Sequence, residues 1–173
     1  MTKNQPTLVQ IVGAMYDFAR EYFLLRRDIQ ERREANDHFH HARANCNASL
    51  RGPWGRRMAE ILSDGKELYD YVVMESPLVE CFSDQIANTY GRRIREGQNP
   101  AKYCQRFDVF NGGMRIDAEQ LLQGHTEIFQ LPILQRILYL KKISEHVVEQ
   151  GYLPVVYSPS LPGQSVGTVP IEF

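Results

Sequence analysis

The chain has 173 residues, room for one ordinary core or a core with an appended element, and too few for two full-sized domains. Lys and Arg total 20 against 21 Asp and Glu, a net charge of -1, so no overall positive field exists to gather nucleic acid, which is excluded as a partner. Cys46, Cys81 and Cys104 are odd in number and lack C-x-x-C spacing, which argues against a disulfide framework and a four-thiolate zinc site and predicts reduced thiols.

The amino-terminal stretch MTKNQPTLVQIVGAMYDFAREYFLL is interrupted by Gln10, Asp17, Arg20 and Glu21. It supplies neither the apolar centre of a signal peptide nor an unbroken span of about 20 apolar residues. The expectation is therefore no transmembrane segment and a cytosolic start, with any export by a specialised route. Leu8, Ile11, Met15, Phe18, Tyr22, Leu25 and Ile29 recur three and four apart, which predicts a helix from about Thr7 to Ala35 with that stripe buried. Asp28 and Arg32, four apart, read as a solvated pair on its outer face. A second helix follows Asn36 or Asp37 as cap and runs to about Leu50, with Phe39, Ala42, Cys46 and Ser49 on one face. RGPWG, residues 51–55, breaks it. The third helix begins near Trp54, is expected to bury Met58, Ile61, Leu62, Leu68, Tyr69 and Val72, and stops before Ser76 and Pro77, because the residue preceding proline is pushed out of the α region. A fourth spans about Leu78 to Glu96 and ends at Gly97.

Beyond Phe107, NGG at 111–113 reads as a turn, Asp117 caps a short helix, and Pro132 opens another that carries Ile133, Ile137, Leu140 and Val147. The last stretch, GYLPVVYSPSLPGQSVGTVPIEF, has four prolines and no helical period, and alternates only briefly at Val155 and Val156. It is expected to be an extended tail that packs along the bundle or receives a partner. The fold class is all-α: a four-helix bundle over 1–107, a helical extension over 108–151 and an extended Pro-rich tail over 152–173.

At DHFHHARANCNASLRGPWGRRMAEILSDGKE, residues 37–67, the chain resembles serum amyloid A without a gap. The matching positions are Asp37, His41, Ala42, Arg43, Asn45, Ala48, Arg51, Gly52, Pro53, Gly55, Ala59, Glu60, Ser63, Asp64 and Glu67. SDQIANTYGR adds Asp84, Gln85, Ala87, Asn88, Gly91 and Arg92, and YDFARE and REAN add weaker similarity, so the resemblance covers roughly 16–107. It implies a four-helix bundle that self-associates and binds lipid, lipoprotein and retinoid through apolar helix faces, without catalysis. The link around REAN differs by an insertion and a deletion, Trp54 replaces a small residue, and the tail is unrelated. The family's animal members are secreted, whereas no signal peptide is read here; a bacterial relative fits better, and related domains occur near contact-dependent toxin systems.

The stretch NDHFHHARANC, residues 36–46, holds three histidines and a cysteine. On a helix His38 and His41 share a face, as do His41 and Asn45, while His40 points elsewhere. Zinc could take two of the histidines, but it would need a third protein ligand, and neither H-E-x-x-H nor paired E-x-x-H occurs, so no metal or other cofactor is expected. Three helices each present polar residues one turn apart: His41 with Asn45, Glu60 with Asp64, and Asp84 with Asn88. If these faces converge they form a buried network, with Arg43, Arg51, Gln85 and Arg92 as partners, that sets helix register. The same residues allow an acid–base reading, with His41 as general base, Asp64 or Asp84 holding it, and Asn45 or Asn88 steadying an anion. No catalytic signature or glycine-rich phosphate loop accompanies them.

The expected function is a non-catalytic binding module, able to form a homo-oligomer, that takes a lipid, another amphiphile or a partner protein. Phe18, Tyr22 and Trp54 are its candidate contacts. The alternative is an effector of bacterial competition, a toxin, or its immunity or adaptor partner, using the His/Asp/Asn cluster.

Overall fold

The computed structural model describes residues 7–32, 36–157 and 167–170. Four helices, α1 (Thr7–Arg32), α2 (Asp37–Leu50), α3 (Pro53–Val72) and α4 (Leu78–Arg92), form the bundle, with α2 packed against the other three. The fold is all-α, as the periodicity predicts, and the boundaries follow the breakers: Pro53 opens α3 at its first turn, and Ser76 and Pro77 separate α3 from α4.

The faces that α1 and α3 bury differ from the expected stripes. On α1, Leu8 is 70% exposed, Met15 and Ile29 are also exposed, and the buried side is Gln10, Ala14, Asp17, Phe18, Glu21, Leu25 and Asp28. On α3, Ile61, Tyr69 and Val72 are exposed, while Gly55, Ala59, Ser63 and Glu67 are buried. The reason is the closeness of the backbones. A Cβ on Gly55 would lie 2.3 Å from the Ala48 carbonyl oxygen of α2, and one on Gly91 of α4 would lie 2.2 Å from that of Ala42. Helices this close interlock through small side chains, so several larger apolar residues of α3 face outward, while α1 buries Phe18 and Leu25 and leaves Leu8, Met15 and Ile29 outside. A small core of Ala14, Phe18, Ala44, Ala48 and Ala59 fills this side, with Tyr22, Met58 and Leu62 half-buried against it.

The larger core lies on the opposite side of α2. Phe39, Phe82, Ile86, Tyr90 and Ile94 of the bundle meet Phe107, Ile116, Ile128, Leu140 and Leu153 from the chain beyond it. That chain forms α5 (Pro100–Cys104), β1 (Met114–Ile116), α6 (Glu119–Gln123) and α7 (Ile133–Glu149), with short 3-10 turns between them. Asn99 caps α5, its Oδ1 accepting from the amides of Ala101 and Lys102. Gly112, at φ 78°, makes the NGG turn.

The tail departs from the expected unpaired extension. β2 (Tyr152–Tyr157) pairs antiparallel with β1, Arg115 opposite Val156, and β3 (Gly167–Pro170) pairs with β2, Pro154 opposite Thr168. The partner strand β1 lies far upstream, and the alternation at Val155 and Val156 is too short to announce a strand by itself. The part of the expected tail at 158–166 and 171–173 lies outside the described residues.

Candidate functional site: a buried histidine and carboxyl network

His41 of α2, Glu67 of α3 and Asp84 and Asn88 of α4 meet in the bundle interior. Their hydrogen bonds fix the orientation of each amide. Asn45 Nδ2 donates to the backbone oxygen of His41 at 3.0 Å and to Asn88 Oδ1 at 2.7 Å, and Asn45 Oδ1 accepts from Arg92 Nη1 at 3.3 Å. Asn88 Nδ2 then donates to Glu67 Oε1 at 2.9 Å. Because Asn88 Oδ1 can only accept, His41 Nδ1, 3.2 Å away, must carry the ring proton.

The neutral ring therefore turns a bare Nε2 toward Asp84 Oδ2, 3.4 Å away. Two acceptors face one another there, and a proton resolves the conflict. Burial holds the His41 imidazolium well below its usual range. Burial also pushes Asp84 up to about 8, against the opposing pull of the Lys66 ammonium, so near neutrality Asp84 keeps a proton that it can give to Nε2. Glu67, buried beside it, is pushed up well above the carboxylate range for the same reason, and its Oε2 has no hydrogen-bond partner among the described residues.

Around this centre the network continues. Arg92 donates to Ser63 Oγ at 2.7 Å and to Thr89 Oγ1 at 2.9 Å. His38 Nδ1 accepts from the amide of Ile116 at 3.0 Å, which leaves its Nε2 proton directed toward Asp84 Oδ1 at 3.7 Å; burial lowers His38 to about 4. This links the network to β1. Lys66 pairs with Asp70, lies 3.9 Å from Asp84 and sits over the Tyr22 ring at 5.5 Å. A cavity of about 180 Å³ reaches the Asp84 side, lined by Asp37, His41, Lys66, Asp70, Cys81 and Asp84 among others.

Of the residues that the sequence nominates, His41, Asn45, Asp84, Asn88 and Arg92 share this centre. Asp64 and Gln85 lie one step out, Gln85 Nε2 donating to Asp64 Oδ1 at 2.7 Å, while Lys141 of α7 joins Asp64 to Glu60. Asp64 thus does not hold His41; Asp84 does. Arg51 stands apart, clamping Asp17 of α1 through Nε at 2.5 Å and Nη2 at 2.8 Å.

Glu67 and Ser63 belong to the centre although they are absent from the nominated faces. The four-residue stride Gly55, Ala59, Ser63, Glu67 was their signal, since three small residues in line mark the close-packed side of α3. A second polar cluster also went unread. His40 bridges Glu21 at 3.1 Å and Asp28 at 3.0 Å, and these carboxylates outweigh burial to raise its pKa. Asp28 is therefore buried against His40 of α2 and not solvated, and the side chain of Arg32, its expected partner, lies outside the described residues.

His41, Glu67 and Asp84 each offer a ligand atom, all within 4.8 Å of one another, a set that could hold a metal ion. Lys66 places a positive charge beside the same carboxyls, 3.9 Å from Asp84. Of the candidate contacts, Phe18 is 4% exposed and belongs to the small core, Tyr22 is half-buried, and Trp54 is 51% exposed.

The family model for serum amyloid A protein matches residues 6–108. Serum amyloid A protein of Anas platyrhynchos is 31% identical over 106 residues, 59% of this chain and 76% of that protein. That of Notamacropus eugenii is 37% identical over 81 residues, 44% of this chain and 61% of the relative. A tRNA-2-methylthio-N(6)-dimethylallyladenosine synthase of Moorella thermoacetica is 34% identical over 100 residues, 58% of this chain but 20% of that protein.

Proposed function

From the chain's membership of the serum amyloid A family, we propose that it is a non-catalytic module that binds an amphiphile or lipid surface through the outward apolar sides of α1 and α3. The observation that carries this reading is the set of large apolar side chains that those two helices leave exposed. Leu8, Val12, Met15 and Phe23 on α1, and Trp54, Ile61, Tyr69 and Val72 on α3, are exposed on neighbouring helices, while Asp17, Glu21, Asp28 and Glu67 are buried. Large apolar side chains grouped on one side of a helix are the kind of surface that takes an apolar ligand or partner.

Charge supports an anionic headgroup. Asp17, Glu21 and Asp28 are buried, so the exposed charges of α1 among the described side chains are Arg20, Arg26, Arg27 and Glu31, three positive against one negative. The chain's near-neutral total conceals this local excess. Arginines flanking an apolar helix face can lay their stems along acyl chains and reach headgroups. Among the described residues no helix is long and apolar enough to cross a membrane, so the contact would lie on the surface.

Flotation with vesicles containing anionic phospholipid tests this. The wild type is expected to rise with the vesicles, and the double variant Phe23→Glu, Ile61→Glu to remain below with an unchanged thermal midpoint, because both side chains already face water. A wild type that never floats, or a double variant that still does, overturns the reading; a dimer in sizing chromatography would instead assign the face to a second copy. The effector reading finds the Asp84–His41 pairing that it expects, but with Nδ1 against Asn88 and Nε2 against Asp84 neither ring nitrogen is left to meet a substrate.

A further inference from the structure

Two of the three cysteines, which by spacing read as reduced thiols, meet in the fold. Cys46 in the middle of α2 and Cys104 at the end of α5 place their sulfur atoms 3.1 Å apart, although 58 positions separate them in the chain. Non-bonded sulfurs normally rest farther apart than this, and a disulfide needs only about 1 Å of further approach to its S–S length of roughly 2.05 Å. Cys81 lies elsewhere, lining the cavity beside Asp84. The odd count is thus a pair and a single thiol.

We propose that Cys46 and Cys104 form a disulfide that fastens α5 to α2 when the chain folds in an oxidising compartment. The reaction is thiol–disulfide exchange with a low-molecular-weight disulfide, R–S–S–R. One cysteine thiolate attacks it, forming a mixed disulfide and releasing one R–S⁻; the second thiolate attacks the protein sulfur of that mixed disulfide and releases the other. The two cysteine protons end on the two R–SH formed, so two thiols are oxidised as one small disulfide is reduced.

Both thiols are fully buried, and burial pushes that of Cys46 well above its usual range, so the finished fold resists the exchange. The bond is made while the five-residue α5 is still docking, before the sulfurs are sealed. Its place gives it consequence. Cys104 sits where the bundle passes into the carboxyl-terminal chain, so the cross-link ties that junction to the central helix, and the segment it closes contains all of α3 and α4. Reduced protein retains the same contacts without the tie.

The test is refolding of the full chain in a buffer of reduced and oxidised glutathione, followed by unfolding in acid, alkylation and mass spectrometry. The expected product has lost two hydrogen atoms and alkylates at Cys81 alone. Cys81→Ala should leave this unchanged, whereas Cys46→Ala and Cys104→Ala should each abolish the intramolecular bond. The oxidised chain should melt several degrees above its reduced form. Three alkylated cysteines after oxidative refolding, a bond that includes Cys81, or a midpoint lower when oxidised would each overturn the proposal. If the alanine variants fail to fold, the peptide map of the wild type still decides, because it shows directly which sulfurs are joined.

Discussion

Asp84 is a side chain whose surroundings oppose its ordinary ionisation. It is 17% exposed, faces the bare nitrogen of His41 and is raised to about 8. His38 and His41, lowered by burial, add stability as pH rises through the ordinary imidazole value of 6.5, and only above about pH 7.5 are both largely neutral in the folded and unfolded chain alike and without a slope of their own. The folded state holds the Asp84 proton in that window and the unfolded state does not, so stability must fall as pH rises through about 8. His40, raised by Glu21 and Asp28, adds a loss of the same sign as it deprotonates. Urea midpoints taken from about pH 7.5 to about 9 should therefore decline. Asp84→Asn should flatten part of that decline and stabilise the chain at the alkaline end by at least about 1 kcal/mol, the equivalent of one pKa unit. A variant whose profile stays parallel to that of the wild type would remove the proton from between Asp84 and His41. The histidines and asparagines of this centre were legible as residues one turn apart. Which carboxyl faced His41 was not, because three helices supply the partners.

Close approach governs the elements. Gly91 brings α4 against α2 one turn beyond Asn88, and the missing Cβ would also lie 2.8 Å from the Cβ of Asn45. Gly91→Ala should push the helices apart, stretch the Asn45–Asn88–Glu67 bonds and cost about 1–3 kcal/mol in chemical denaturation. Gly65→Ala on α3 is the control. Its Cβ would meet nothing within 4 Å, and it should stabilise by about 0.5–1 kcal/mol through helix propensity. Equal effects of the two would show that backbone closeness does not matter at Gly91. Apolar periodicity located α1 and α3 but only part of the side each buries: Phe18 and Leu25 are buried as expected, and Met58, Leu62 and Leu68 are partly so, whereas Leu8, Met15, Ile29, Ile61, Tyr69 and Val72 face out. Periodicity finds a helix whose residues differ around its axis, and an outward apolar face yields the same period as an inward one.

For the whole molecule, the decisive feature is that the chain beyond the bundle completes the larger core. Ile116, Ile128, Leu140 and Leu153 are all buried against α2 and α4 or their neighbours. Burying each side chain of this size contributes about 1.5–3 kcal/mol, so together they rival the 5–15 kcal/mol by which such chains are stable. A chain cut after residue 107 should lose its cooperative thermal transition and self-associate on sizing chromatography; a monomeric, cooperatively melting fragment would make the extension an accessory. The sequence alone determined the four helices, their breaks at Pro53 and Pro77, and the family likeness, because capping residues, prolines and ordered motifs act locally. Only the tertiary structure decided which faces are buried, that Glu67 and Asp84 share a proton-holding centre with His41, that two cysteines touch, and that the tail pairs with β1. Each of those depends on how near two distant stretches of backbone come, and that distance is set by packing among all the helices at once.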